Sequence, residues 1–400
     1  MYICKAYKFE LRPKSGQERE MRRFAGSCRF VFNKALALMK ERSQGRQKRL
    51  GYAGLCKLLT DWKKEASWLL DAPSQSLQQS LKDLDLAYRN AYENHADLPR
   101  FKKKGQRDSF RYPQGIVLDQ PNSRIKLPKL GWVRYRNSRE VVGLVRNATV
   151  SHADGKWFVS IQTQHEVELP VPQGSAVGID LGLTRFATLS DGSHIEPLNS
   201  FKRYQARLAR YQRAMSRKVK FSSNWNKAKA RLQRMHARIR NARRDFLHKA
   251  SSHISQNHAM IAIEDLQVRN MSRSVAGTHH APERSAKAKS CLNRSILDQG
   301  WYEFRRQLEY KAAWRGGLVV AVPPQYTSQT CPYCGHASAN NRLTQAQFGC
   351  EDCGFEGNAD WIAAINILAR GHRVLACGER VQSGPSMKQE PTEATQRLHS

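Results

Sequence analysis

Four cysteines in two pairs, Cys331-x2-Cys334 and Cys350-x2-Cys353, constrain this 400-residue chain more than any other feature. Fifteen residues separate the pairs, and a glycine, Gly335 or Gly354, follows the second sulfur of each. Such a spacing predicts two knuckle-like turns that present four thiolates to one tetrahedral zinc ion. A complete thiolate shell leaves no open coordination position, so the zinc is expected to be structural, and His336 is surplus to it. The competing uses, a redox pair or a catalytic zinc, fit two paired motifs less well. The other five cysteines, Cys4, Cys28, Cys56, Cys291 and Cys377, are scattered. Most of these sit in apolar or helical contexts and are expected to be buried thiols, and an odd total of nine with one tight quartet fits a reducing compartment and a metal site, not a disulfide framework.

A second constellation consists of acids. Residues 176–183, AVGIDLGL, read as a short strand with Val177, Ile179 and Leu181 on one face and Gly178, Asp180 and Gly182 on the other. The flanking glycines are expected to leave clearance for metal ions and a phosphodiester. Residues 258–266, HAMIAIEDL, form a hydrophobic strand in which Glu264 shares a face with Ala262 and Met260. Asp265 then points to the opposite face. Asp360 falls in the first turn of the last helix, behind Asn358 as N-cap, where the helix N-terminus favours a charged carboxylate. Three carboxylates on two strands and a helix start are the ligands a two-metal phosphodiesterase needs, with magnesium ions roughly 4 Å apart. Three unrelated surface acids would give the same sequence pattern.

Charge narrows the partner. With 67 Lys and Arg against 34 Asp and Glu, the formal net charge is +33, which implies a polyanion, and nucleic acid before an anionic membrane. No apolar run of about 18 residues and no signal peptide is visible, so a cytoplasmic protein is expected, nucleoid-associated when bound to DNA. Residues 201–250 carry 17 Lys or Arg and one acid, Asp245, in a helical pattern broken near 221–224. Leu208, Tyr211, Met215, Leu232, Met235 and Ile239 form its candidate buried stripes, and its cations suit backbone phosphates.

The organisation reads as follows. Residues 2–13 alternate like a strand. Residues 16–98 are a helical block with predicted helices over 16–42, 50–68 and 74–94. Residues 99–112, PRFKKKGQRDSFRY, are basic with interleaved aromatics; they suit either phosphate neutralisation with base stacking or a solvated loop. Five short strands follow over 115–166, and the first strand joins them in a small β-barrel. After a linker at 170–174, three strands form a meander. One amphipathic helix is predicted over 296–315, a buried strand over 317–322 and a helix over 359–370. Residues 268–290 and 378–400 are polar, the first a candidate lid and the second a disordered tail.

Together these residues resemble the TnpB family, RNA-guided nucleases of bacterial insertion sequences and apparent ancestors of the type V CRISPR effectors. The resemblance spans nearly the whole chain and rests on AGSCRFVFNKAL at 25–36, LPRFKKK at 98–104, LPKLGWV at 127–133, VGIDLGL at 177–183, IAIEDL at 261–266, QYTSQTCPYCGHAS at 325–338 and FGCEDCGFEGNADWIAAINI at 348–367. It implies an α/β multidomain protein. A wedge β-barrel would span 1–15 and 115–170, and a helical recognition domain 16–114. An RNase H-like (RuvC) nuclease domain would span 171–325 and 357–377, with a zinc-binding target-nucleic-acid-binding insertion at 326–356. It further implies Asp180, Glu264 and Asp360 as catalytic magnesium (or manganese) ligands, and a guide RNA from the transposon end. A short transposon-adjacent motif and cleavage of double-stranded DNA are also implied. Arg342 matches a basic position that would lie near the scissile phosphate. Tyr52 and Gln78 lie in the block that would contact the adjacent motif, though packing or surface roles suit each equally. Lys102, Lys103 and Lys104 are further nucleic-acid candidates. Trp361, after the last acid, departs from the smaller or polar residue of many relatives without removing a ligand.

The leading expectation is a monomeric RNA-guided, magnesium-dependent DNA endonuclease, since guided cleavage delegates sequence reading to base pairing and needs mainly a basic channel. The alternatives are an RNA-guided repressor without cleavage, a DNA transposase, or a plain zinc-ribbon binding factor. The presence of all three acids favours the enzyme over the repressor.

Overall fold

The computed structural model describes residues 1–273 and 284–377. The candidate tail and residues 274–283 of the candidate lid lie outside them. The chain divides into two compact units, Met1–Glu168 with Lys218–Arg234, and Leu169–Arg217 with Met235 onward.

The first unit opens with β1 (Tyr2–Arg12), followed by α1 (Ser15–Gln44), α2 (Tyr52–Glu65) and α3 (Ser74–Tyr92). Six strands follow: β2 (Ser109–Tyr112), β3 (Val117–Asp119), β4 (Arg124–Leu127), β5 (Gly131–Tyr135), β6 (Leu144–Ala153) and β7 (Lys156–Glu166). They form one seven-stranded sheet of order β2-β6-β7-β1-β5-β4-β3. The first strand indeed joins the later ones, pairing with β7 from Tyr2 to Glu10 and with β5 at Leu11 and Arg12. One hydrophobic core unites sheet and helices. Met21, Phe24, Cys28, Val31, Ala35 and Leu36 of α1 pack with Leu77, Leu81 and Leu84 of α3 and with Val150, Val159 and Ile161 of the sheet. The segment 99–112 is not all loop. Its last four residues are β2, and the pleat turns Phe110 and Tyr112 into the core, so these two aromatics are unavailable for stacking on bases.

The second unit contains β8 (Ser175–Asp180), β9 (Ala187–Leu189), β10 (His194–Ile195), α4 (Ser200–Ser216), α5 (Ser223–Asn257, whose first part belongs to the other unit), β11 (His258–Glu264) and the short α6 (Val268–Met271). Then come α7 (Arg284–Gln299), α8 (Trp301–Ala313), β12 (Leu318–Val322), β13 (Gln347–Gly349), β14 (Glu356–Asn358) and α9 (Ala359–Ala376). The five-stranded sheet has the order β10-β9-β8-β11-β12. The three-strand meander is present and antiparallel, while β8, β11 and β12 run parallel.

Helices cover both faces of the parallel part. Val177, Ile179, Ile261 and Ile263 pack on Leu247, Ile254, Phe304 and Leu308 of α5 and α8. On the other face, Met260, Ala262, Val320 and Val322 pack on Ile367 of α9. The single helix expected over 296–315 is two. Gly300 takes φ +75° and ends α7, and α8 begins at Trp301. The amphipathic stripe masks this break because Trp301, Phe304, Leu308 and Ala312 all remain buried. Leu208, Leu232, Met235 and Ile239 of the basic helical region 201–250 are buried as expected, whereas Tyr211 and Met215 are only partly covered.

Candidate active site and zinc ribbon

Register brings the acids together. Ile179 of β8 pairs with Ile263 of β11 in parallel, so the next residues, Asp180 and Glu264, end neighbouring strands at the same level. Same-level residues of parallel neighbours share a face. Since Ile179 and Ile263 face α5 and α8, Asp180 and Glu264 face α9. Helix α9 lies against β8 so closely that a Cβ on Gly178 would stand 2.0 Å from Ala364 O. Asp360, one turn before Ala364, is thereby carried to the carboxyl end of the strands. Asn358 caps that helix, its Oδ1 accepting from Asp360 N at 3.1 Å and Trp361 N at 3.2 Å. Gly178 therefore serves helix–sheet approach and not clearance for ions. Gly182 likewise serves a tight turn, because a Cβ there would meet Arg185 O at 2.9 Å.

The electrostatics are those of crowded, dehydrated like charges. Burial pushes the Asp180 carboxyl up to about 7, and the charges of Glu264 and Asp360 add to the effect. Glu264 is 8 % exposed, and burial raises it too. Arg342 opposes both shifts, and its guanidinium lies 4.0 Å from Asp360 Oδ1. Arg370 also acts on Glu264, and two arginines against three carboxylates still leave a net negative site at the end of a sheet. A divalent cation fits that donor set, since its charge offsets the burial and the neighbouring carboxylates that push Asp180 up. The carboxylates are nonetheless spread more widely than a single-ion cage. Among the described residues, only the cysteine quartet has its ligand atoms all within 4.8 Å of one another.

In that quartet the Cys331 and Cys353 sulfurs are 3.6 Å apart, and those of Cys334 and Cys350 3.5 Å. Four sulfurs each ~2.3 Å from a tetrahedral ion would stand about 3.8 Å apart, so the cage fits zinc. The two knuckles are near copies. Gly335 N and Gly354 N each donate to the carbonyl of their pair's first cysteine at 3.0 Å. Cys331 N and Cys350 N donate to His336 O and Phe355 O. Both glycines have positive φ, +79° and +70°, which a side chain would resist. His336 contributes backbone, as its surplus status implies.

Asp265 points away from the acid cluster to an ion pair with Arg305 of α8. Trp361 packs inward and its Nε1 donates to Ser190 O at 3.1 Å. Tyr52 opens α2 and is half-buried against the core, and Gln78 is half-buried on α3. The basic triplet is uneven. All three lysines are exposed, but the Lys102 ammonium sits 3.8 Å over the Phe32 ring, where desolvation lowers its pKa.

Sequence reasoning missed Thr327, which is 3 % exposed and whose Oγ1 donates to Glu264 Oε1 at 2.7 Å. It also missed Asn366, whose Nδ2 donates to Thr327 O and Thr330 O at 2.8 and 2.7 Å. A polar residue on the sheet-facing side of an otherwise apolar final helix was the available signal.

An α/β sheet with an acid cluster at its carboxyl edge and a zinc ribbon inserted before its last helix defines a class, and comparison with known proteins narrows it. A family model described as "Probable transposase" (OrfB_IS605) matches residues 158–275, and one described as "Cas12f1-like, TNB domain" matches 301–367. A third, described as a helix-turn-helix domain, matches residues 1–48, which here form β1 and the continuous helix α1. The chain is 60 % identical over 399 residues, 99 % of each protein, to the "Putative RNA-guided DNA endonuclease InsQ" of Escherichia coli K12. It is 34 % identical, over 98 % of each, to a "Putative RNA-guided DNA endonuclease" of Streptomyces pristinaespiralis. It therefore belongs to the TnpB family. Its fold is shared with the Cas12f1 chain of a Cas12f1–sgRNA–target DNA complex solved by cryo-electron microscopy, at a TM-score of 0.55 and 12 % identity, covering 92 % of this chain and 98 % of that one.

Proposed function

We propose that the chain is an RNA-guided DNA endonuclease with an RNase H-like (RuvC-type) nuclease domain. The observation that carries this reading is the cluster of buried Glu264 with half-buried Asp180 and Asp360 at the carboxyl end of the strands, where burial and the two neighbouring charges push Asp180 up to about 7. The sheet order, antiparallel for three strands and parallel for the next two, supports the RNase H-like assignment. In this reading residues 171–325 and 357–377 are the nuclease domain and 326–356 the target-binding insertion. The seven-stranded sheet would be the wedge barrel and α1–α3 the recognition domain. No helix among the described residues is long and apolar enough to cross a membrane, in keeping with cytoplasmic work on DNA.

Asp180, Glu264 and Asp360 would hold two magnesium or manganese ions, and Cys331, Cys334, Cys350 and Cys353 one zinc. When bound, the divalent ions supply Lewis acidity to the scissile phosphate and lower the pKa of water. The chain's own contributions are distinct. With the ions bound, Asp180 and Glu264 would present their oxygens from the ends of two strands paired in register. Asn358 fixes the start of α9 and with it Asp360. Arg342 would face a phosphate oxygen, offsetting charge where the DNA enters. The exposed Lys103 and Lys104 and the basic helical region 201–250 would contact phosphates of guide and target without reading sequence.

The test is to purify the protein with its co-purifying RNA, sequence that RNA, and offer a matching DNA duplex with magnesium. A defined transposon-end transcript and duplex cleavage are expected. Random RNA with no cleavage would contradict the reading. The family model's description favours a second reading, a strand-joining transposase, which would give DNA joined at a new site instead of hydrolysed ends.

A further inference from the structure

We propose that Thr327 is the positioning residue for Glu264, and that Asn366 holds Thr327 in place, so that the root of the zinc ribbon sets the geometry of the acid site. The inference rests on the metal-site reading above.

Glu264 ends β11 and is 8 % exposed. Its carboxylate has two oxygens. Oε1 accepts from Thr327 Oγ1 at 2.7 Å, and among the described residues no other hydrogen bond to its side chain is seen. The same hydroxyl lies 3.0 Å from Pro324 O. It has one proton, and a carbonyl is the weaker acceptor, so with Glu264 ionised the proton turns to Oε1. That bond fixes the carboxylate's rotation and leaves Oε2 free for a ligand.

Thr327 does not sit on a regular element that would fix it. Between β12 and the first knuckle the chain is turn, and Asn366 supplies the missing constraint. Its Nδ2 donates both its protons, to Thr327 O at 2.8 Å and Thr330 O at 2.7 Å. Asn366 is 7 % exposed and lies on α9, six residues after Asp360. Thr330 immediately precedes Cys331, whose sulfur belongs to the quartet. One amide thus ties together the helix that carries Asp360, the hydroxyl that orients Glu264 and the turn segment that enters the zinc site. Partners of this kind typically change metal affinity about 10- to 100-fold when removed.

The test is manganese binding to the full chain, followed by electron paramagnetic resonance of the free ion, with circular dichroism and zinc content as checks on folding. Thr327→Val is expected to weaken binding about tenfold, and Thr327→Ser to restore most of that loss. In a Glu264→Gln background, adding Thr327→Val is expected to change affinity by less than about twofold, because the hydroxyl acts through that carboxylate. Should Thr327→Val misfold, Thr327→Ala, which avoids the added methyl, replaces it in the same cycle. Wild-type affinity in the folded Thr327 variant, or a loss that persists in full on Glu264→Gln, would overturn the proposal while leaving the acid site intact. Unchanged manganese binding by Asp180→Ala would instead overturn the metal site and this inference with it.

Discussion

The cysteine quartet and the acid cluster meet at α9, yet they are assembled by opposite means. The quartet comes from 23 consecutive residues and two local turns, each closed by a backbone bond to its own first cysteine. Its sulfurs already stand at the separation a zinc ion requires. The acids come from positions 180, 264 and 360, and no local turn relates them. They meet because two strands pair in register and a helix packs within contact of Gly178. The quartet is a locally encoded device, with Cys331 and Cys350 packed on Ala359 and Ile362 of α9. The acid cluster stores repulsion that the rest of the fold must hold in place. The difference teaches that a site can be strongly built and locally encoded, or functionally charged and globally encoded, within one domain.

Mutations should separate the two kinds of site. The largest effect is expected from Asp180→Ala, which should lower DNA cleavage on the order of 10⁴-fold, the scale of removing an essential catalytic group. Guide-RNA binding, measured by filter retention, should be unchanged. Cys350→Ser should remove the ribbon and, because Thr327 stands at its root and Arg342 within it, lower cleavage too, but less than Asp180→Ala does. Zinc content by atomic absorption is expected to fall from about one per chain to about none, since structural zinc binding is itself folding energy. Limited proteolysis should then cut within 326–356 while the five-stranded sheet survives. If zinc loss also unfolds the sheet, the quartet is more than the locally encoded device described here.

Smaller effects test how the acid site is held. Gly178→Ala forces a methyl against Ala364 O and should destabilise the second unit by about 3 kcal/mol, read as a lower urea midpoint. Asp180→Asn examines the stored repulsion. A carboxyl held up to about 7 in the fold, against an ordinary 3.8, favours folding when protonated. That contribution is complete below the ordinary value and is lost as pH rises through about 7. In metal-free protein Asp180→Asn is therefore expected to raise the melting temperature at pH 8 and to change it little at pH 4. The smallest effect should come from the lysines. Lys103→Ala with Lys104→Ala should lower nucleic-acid affinity and reduce the salt slope by about one per lost phosphate contact. Lys102→Ala should lower the slope less, because its ammonium rests on Phe32.

The contrast between the sites also explains what the sequence revealed. Both helix-rich segments, the meander and the quartet were legible because periodicity and Cys spacing are local signals. The alternation of Val177, Ile179 and Asp180 correctly set the acid's face, and the Asn358 cap was visible from its residue type. The break at Gly300 was not legible, because the apolar stripe runs through it without interruption. The basic, turn-flanked stretch around Phe110 concealed β2, since a four-residue strand is fixed by its partner β6 and not by its own pattern. Gly178 was visible but misread. A glycine beside a carboxylate has two uses, and only the position of α9 decides between them. Thr327 gave no sign of its role because its partner lies 63 residues away, and the polar Asn366 signalled a buried partner without saying which, since that partner lies 39 residues away.

The most direct measurement is cleavage of a supercoiled plasmid carrying the guide-matched sequence by the purified protein–RNA complex, wild type beside Asp180→Ala, with and without magnesium. The account predicts linear product only from wild type with magnesium, and intact plasmid from an Asp180→Ala complex that has bound the same RNA. Linear product from Asp180→Ala at a comparable rate would contradict it.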